Sequence, residues 1–372
     1  MSDLERKLFE TKRSKVSLEP IEEQPTERYA LDNTQKEVRH LMNESWRNTL
    51  FEQRKKLLTF EDKFYRDSTH YVQTYYLPPE SNDLPVLVCH HGAGSSSSTF
   101  LAFISALKSQ TEYPRPGVFL FDMFGHGRST DRPEKNYELD ALTDDFGFIM
   151  TEFLARTSAE RLFFIGHSLG GSIMTNFLAR DNSLLQKVSG LALLDIVEET
   201  AVRSLNKVSF FLKSRPRQFN DYEDAMYWHL NSKLLNNEES AKLSIYDLFT
   251  EDAQGCLKWR ADLEGMAHFW GDWFLGMSEK FLRCDEPMTK KIPKLLILAG
   301  NEHLDKDLII GQMQGKYQLL VFDNLLETGH FIQEDIPKKL SISILEFLKR
   351  HDIAYIERTQ TARRSLWGGS IH

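Results

Sequence analysis

Arg161-Leu162-Phe163-Phe164-Ile165-Gly166-His167-Ser168-Leu169-Gly170 is the stretch whose reading decides the fold. An apolar run leads into G-x-S-x-G, and the following residues 171–180 can form a helix. Between a buried strand and a helix, this pattern makes a turn so sharp that the serine hydroxyl stands clear of the sheet edge. The glycines are required because the backbones approach closely and the central residue is strained. A chain of 372 residues can contain the pattern by accident. Its meaning therefore depends on whether the rest of the chain supplies a base, an acid, an oxyanion loop and a sheet to carry them.

Working outward, residues 84–89, 117–122, 190–197, 294–299 and 317–322 are apolar runs of the kind found in strands covered on both faces. Residues 71–77 alternate as a half-exposed strand, ended by Pro78-Pro79. Residues 100–107 and 140–155 read as helices, and a closing helix starts at Pro337 with Leu340, Ile344, Phe347 and Leu348 on one face. Strands separated by helices give an α/β fold with a mostly parallel central sheet flanked by helices. About 95 residues separate the strand ending near Val197 from the one starting near Lys294, far more than one crossover helix requires. That segment is rich in helix formers and holds Trp228, Trp259, Trp270 and Trp273, so it reads as a helical cap over the strand ends, where open α/β sheets bind ligands. Trp270 and Trp273 share a helical face; packing is their expected role, with lining of a substrate groove as the alternative.

The expected organisation is a polar N-terminal segment at 1–60, a first core part at 61–197, the cap at 198–290, a second core part at 291–352 and a C-terminal tail at 353–372. The first thirty or so residues read as a mobile tail. Val38, Leu41, Met42, Trp46 and Leu50 fall at helical spacing, either as a helix packed on the main domain or as a partner-binding element. With 41% hydrophobic residues and 25 Phe, a large core is possible, while the net charge of −8 argues against nucleic-acid or acidic-membrane binding. Cys89, Cys256 and Cys284 neither form a disulfide framework nor match zinc spacing, which points to a reducing compartment. The N-terminus has no apolar signal region and no run reaches membrane-spanning length, so the cytoplasm or nucleus is the expected location.

A serine hydroxyl needs a base to take its proton. His330, in Thr328-Gly329-His330-Phe331 between the last strand and the final helix, is the candidate. His90, His91 and His126 adjoin glycine turns and read as structural; His167 neighbours the serine in sequence, which directs its side chain elsewhere. The order serine, acid, histidine fits an α/β hydrolase. For the acid, spacing slightly favours Asp305 (with Asp307 beside it) in the loop after the strand before the histidine; Asp195, after the preceding strand, is the alternative. The developing oxyanion needs two backbone donors, expected at the N–H of Leu169 and the N–H of Ala93. The glycine and serine content of residues 92–98 lets that loop approach a ligand, and no Gly-Lys-Ser/Thr follows to make it a phosphate loop.

From about Leu84 to Arg350 the chain resembles the protein phosphatase methylesterases, serine hydrolases of the α/β-hydrolase superfamily. The resemblance rests on Gly166-His-Ser-Leu-Gly-Gly-Ser172, Leu194-Asp-Ile-Val-Glu-Glu199, Leu205-Asn-Lys-Val208, Phe269-Trp-Gly-Asp-Trp-Phe274 and Pro293-Lys-Leu-Leu-Ile-Leu-Ala-Gly-Asn301. Most specific is Leu304-Asp-Lys-Asp-Leu-Ile-Ile-Gly-Gln-Met-Gln-Gly-Lys-Tyr317. It implies removal of the methyl ester from the C-terminal leucine carboxylate of the type-2A protein phosphatase catalytic subunit, through an acyl-enzyme and without metal or organic cofactor. It also implies Ser168 as nucleophile and His330 as base, and shifts the acid from Asp305 to Asp195. Gln312, Met313 and Gln314 match a family signature and are expected to line the acyl pocket. The resemblance further suggests that docking of the phosphatase helps assemble the triad. A generic carboxylesterase or lipase, and a non-catalytic phosphatase-binding protein, are the alternatives.

Overall fold

The apolar runs at residues 84–89, 117–122, 162–165, 190–197 and 294–299 become inner strands of an eight-stranded sheet, whereas the run at 317–322, expected to be covered on both faces, becomes a partly exposed edge strand. A computed structural model describes residues 33–180, 183–286, 291–300, 303–324 and 326–352; the expected N-terminal mobile tail and the tail at 353–372 lie outside the described residues. In chain order the larger elements are α1 (Asn33–Leu57), β1 (Phe60–Tyr65), β2 (Tyr71–Leu77), β3 (Val86–His90), α2 (Leu101–Lys108), β4 (Gly117–Phe121), α3 (Leu139–Arg156), β5 (Leu162–His167), α4 (Leu169–Leu178) and β6 (Val188–Leu194). After β6 come α5 (Glu198–Ser214), β7 (Gln218–Phe219), α6 (Tyr222–Asn231), α7 (Glu238–Ser244), β8 (Phe249–Glu251), β9 (Leu257–Trp259) and α8 (Met277–Arg283). The chain then returns to the sheet through β10 (Lys294–Ala299), α9 (Lys306–Met313), β11 (Gln318–Phe322), α10 (Ile332–Asp335) and α11 (Pro337–His351).

The sheet order is β1-β2-β4-β3-β5-β6-β10-β11. The pairs β1–β2 and β2–β4 are antiparallel; the other five are parallel. Because side chains alternate along a strand, each inner strand feeds two cores. Val86, Val88, Phe119, Phe121, Phe164 and Leu193 point to the side of α3 and α4, packed with Phe146, Ile173 and Met174. Leu87, Cys89, Val118, Leu120, Ile165 and Leu194 point to the side of α2 and α11, packed with Phe103, Ile104, Ile344 and Phe347. This is the α/β-hydrolase architecture.

Three features differ from the sequence reading. The edge strand β1 went unanticipated, because only Phe64 of its six residues is buried and no alternation marks it. β2 is buried along most of its length rather than half-exposed: Tyr75 packs with Leu58, and Tyr76 meets the edge of the Phe153 ring. The cap is not all helical, since β7, β9 and β8 form a small antiparallel sheet. Strands of two or three residues are too short to show a period of two.

The cap has its own core, built from Phe219, Tyr222, Met226, Ile245, Phe249 and Leu257. Its helices α6 and α7 are started by Asp221 and Asn237, whose side chains accept the N–H groups of Asp224 and Ser240, the usual solution for orphan first-turn donors. α1 packs on this cap rather than standing free. Trp46 stacks on Tyr222 at 6.3 Å, the Asn43 amide donates to the Gly255 carbonyl at 3.1 Å, and buried Arg54 pairs with Asp247. Arg54 also donates to Ser98 at 2.8 Å, tying helix and cap to the loop after β3. Among the described residues, no helix is long and apolar enough to cross a membrane.

Candidate active site

Ser168 sits between β5 and α4 with φ of 50° and ψ of −122°, a strained backbone for a residue with a Cβ. The turn closes because Gly166 and Gly170 have no side chains. A Cβ on Gly166 would lie 2.4 Å from the Gly171 Cα, and one on Gly170 would lie 2.4 Å from the His90 carbonyl oxygen.

The loop after β3 lies directly on this turn, and a Cβ on Gly92 would come within 3.0 Å of the Ser168 Cβ. Two buried groups hold the loop. The His126 Nε2 accepts the Gly94 N–H at 3.0 Å, and Asp122 accepts the Ser97 N–H at 2.7 Å and the Arg128 N–H at 2.9 Å. Burial, with Asp247 adding to it, raises the Asp122 pKa to about 6. Among the described residues, neither the Ala93 nor the Leu169 N–H meets a backbone or side-chain acceptor. Two unpaired N–H groups beside a serine elbow are the arrangement that an oxyanion requires.

On the far side of the elbow, the His330 Nδ1 lies 2.8 Å from the Asp195 Oδ2. A carboxylate only accepts, so the proton is on Nδ1, and Nε2 is the acceptor for a serine proton. Asp195 is 8% exposed, and its other oxygen accepts the Ala299 N–H at 2.8 Å. Asp195 also has a left-handed backbone, with φ of 49°. Asp305 has its carboxylate engaged elsewhere. It begins α9, accepting the Leu308 N–H at 2.9 Å and the Ser278 hydroxyl at 2.5 Å.

His167 has a role that sequence reasoning missed. Its side chain turns toward the histidine loop, where Nε2 donates to the His330 carbonyl at 2.8 Å and the two rings lie 4.6 Å apart. Burial, together with His330, holds its pKa well below the ordinary histidine value. Its position beside the nucleophile within the motif was the only available signal. Burial likewise keeps His90, His91 and His126 neutral, the last pushed down to about 4. Each has its tautomer fixed by a backbone carbonyl that accepts from Nδ1.

The segment after His330 anchors it to the cap. The Asp335 carboxylate accepts the Gly329 N–H and the Asn236 N–H, both at 2.7 Å. Glu334 accepts the hydroxyls of Thr99 and Ser244, joining oxyanion loop, cap and histidine loop; burial raises its pKa to about 8.

Ser168, His330 and Ala93 open into one cavity of about 250 Å³. Its walls are mostly apolar, with Leu212, Leu263, Trp270 and Phe274 among them. Trp270 and Trp273 combine both expected roles: each is buried in the core and each lines the cavity. The Trp273 indole N–H donates to the Tyr137 carbonyl at 2.7 Å. Gln312, Met313 and Gln314 do not line this cavity, which corrects the expectation for them. They end α9 on its solvent side, with Met313 79% exposed. The buried residues of α9, Leu308 and Gly311, use its inner face, which leaves the signature residues pointing out.

A serine on a strained elbow, an aspartate-held histidine and two free amides over an apolar cavity define an α/β hydrolase with a nucleophilic serine. In agreement, the model of the alpha/beta hydrolase fold matches residues 85–337. The chain belongs to the protein phosphatase methylesterase family. It is 45% identical over 308 residues to protein phosphatase methylesterase 1 of Debaryomyces hansenii, covering 81% of this chain and 77% of that protein. It is 42% identical over 323 residues to protein phosphatase methylesterase 1 of Candida albicans, covering 84% and 82% respectively. Among solved structures, E-2-(acetamidomethylene)succinate hydrolase superposes with a TM-score of 0.60 at 18% identity, over 78% of this chain and all of that one. That likeness concerns the fold alone.

Proposed function

We propose that the chain removes the methyl ester from the C-terminal leucine carboxylate of a type-2A protein phosphatase catalytic subunit. The observation that carries this reading is the Asp195–His330 hydrogen bond of 2.8 Å, at the mouth of an apolar cavity shared with Ser168. In the reaction, His330 Nε2 takes the Ser168 proton as Oγ attacks the ester carbonyl carbon. The carbonyl electrons move onto oxygen, held by the N–H groups of Ala93 and Leu169. Collapse breaks the bond to methoxide oxygen, which leaves as methanol with the proton from His330. Water then gives one proton to His330 and attacks the acyl-enzyme; release of Ser168 with that proton leaves the leucine carboxylic acid, which loses its remaining proton to solvent and departs as the carboxylate. Asp195 keeps the imidazole in the required tautomer and stabilises its cation throughout.

The apolar walls suit a leucine side chain, and the family supplies the protein substrate. Three buried free cysteines accord with a reducing compartment, the cytoplasm or nucleus. Incubation with carboxymethylated type-2A catalytic subunit should release methanol. Ser168→Ala should release none while still binding the phosphatase; turnover retained in that variant would overturn the reading. Faster cleavage of short acyl esters than of the methylated phosphatase would favour a generic carboxylesterase instead.

A further inference from the structure

The catalytic cavity also contains a cation that the hydrolytic steps do not use. Arg215 lies among its lining residues, just beyond the end of α5. Its guanidinium carbon is 4.1 Å from the centroid of the Trp259 ring. The stack is held from both ends. The Trp259 indole N–H donates to the Pro216 carbonyl at 2.7 Å, and pairing of Gln218 with Lys258 and Phe219 with Leu257 fixes the two segments side by side. A guanidinium laid on an aromatic face keeps its N–H edge available for an acceptor in its own plane.

Among the described residues, no ion pair and no side-chain hydrogen bond engages Arg215. Burial pulls its pKa below the ordinary arginine value, opposed at longer range by Glu264 and Asp262; the group remains charged. Neighbouring polar groups in the wall are already engaged. The Glu334 carboxyl takes the hydroxyls of Thr99 and Ser244, and the His229 Nδ1 donates to the Ala225 carbonyl at 2.7 Å. A half-buried guanidinium with no protein acceptor has its donors free to engage a ligand in the cavity. Its planar fork matches a carboxylate in both charge and shape.

We propose that Arg215 is a specificity subsite that binds an acidic side chain of the substrate peptide, located a few residues before the esterified terminus. The proposal rests on the methylesterase reading and adds a second point of recognition to it. A tail that places its ester carbonyl at Ser168 and a carboxylate at Arg215 is fixed at two points of one cavity. An ester with the same leucine but no acidic residue is held at one.

The test uses the full chain and short peptides ending in leucine methyl ester. Each carries Asp or Glu at one upstream position, paired with an otherwise identical peptide bearing Asn or Gln. At one position, the acidic peptide should show a KM about 10- to 100-fold lower than its amide partner, as expected for one charge-assisted hydrogen bond. That ratio should collapse toward one in Arg215→Gln and be partly restored in Arg215→Lys, which keeps the charge but not the stacked fork. An unchanged ratio in Arg215→Gln, or no acid–amide difference at any position, would overturn the subsite while leaving the esterase reading intact. Failure of the wild-type chain to release methanol both from the peptides and from carboxymethylated type-2A catalytic subunit, with Ser168 still labelled by a fluorophosphonate, would overturn both.

Discussion

Two neighbouring strands of the sheet, β6 and β10, each lead into a segment with an aspartate that could complete a serine–histidine site, and the two aspartates have opposite fates. Asp195 directs one oxygen to His330 and braces the other on the Ala299 N–H at the end of β10. Asp305 spends its oxygens on the first turn of α9 and on Ser278. The difference is also visible in the backbone. Asp195 is left-handed, whereas Asp305 has the extended backbone of an ordinary helix cap. Among the described residues, the non-glycine positions with positive φ are Ser168, Asp195 and Lys233, so two of the three are in the proposed triad. Strain of this kind persists only where surrounding structure enforces it. What identifies the acid is thus where its lone pairs are committed, not how far it lies from the histidine in sequence.

The largest expected effect lies in that pair of residues. Asp195→Asn should lower kcat by about 10³- to 10⁴-fold, because an amide can donate to His330 and favour the wrong tautomer. Asp305→Ala should leave kcat within a few-fold of wild type but cost about 0.5–2 kcal/mol of stability through loss of the α9 cap. Parallel kinetics and thermal melts would check both; equal losses of kcat would erase the distinction.

A smaller effect tests how the histidine is held. His167→Phe retains a ring against His330 but removes the N–H that reaches its carbonyl. We expect kcat to fall about tenfold, with KM for a small ester moving less, as for one lost hydrogen bond in a buried setting. A change in KM alone would assign His167 to binding.

The smallest effect distinguishes the buried histidines from exposed ones through pH. Folding keeps His126 and His229 neutral down to about 4, and His90 to about 3, with His91 and His167 also depressed. The unfolded chain takes up protons at these positions below about pH 6.5. At these five histidines it therefore binds more protons than the folded chain as pH falls from there, which lowers stability toward about pH 4, while Asp122 and Glu334, raised to about 6 and about 8 by burial, contribute in the opposite direction. Melting temperatures across this range should drop, and replacing His90 with Gln should make the drop shallower. A pH dependence of the same size in His90→Gln as in the wild type would contradict the neutral cluster.

Much of the sheet was legible because each inner strand is an unbroken apolar run, as in Leu162-Phe163-Phe164-Ile165, and burial on both faces demands that composition. The elbow was legible because glycines must flank Ser168. Asp195 was not legible from spacing: its selection depends on the Ala299 N–H and His330 meeting across the sheet edge, contacts separated by more than a hundred residues. Resemblance to a family supplied that choice. Met313 was misplaced because the spacing in Gly311-Gln312-Met313-Gln314 does not say which face of α9 is buried. Arg215 was invisible for a related reason, since its meeting with Trp259 is created by a cap sheet of strands two or three residues long.

The most direct test of the triad is the rate at which a fluorophosphonate probe modifies the chain, with the site mapped by mass spectrometry. The account predicts a single adduct on Ser168, slowed strongly in Asp195→Asn and little changed in Asp305→Ala. An adduct on another residue, or slowing by Asp305→Ala but not by Asp195→Asn, would contradict it.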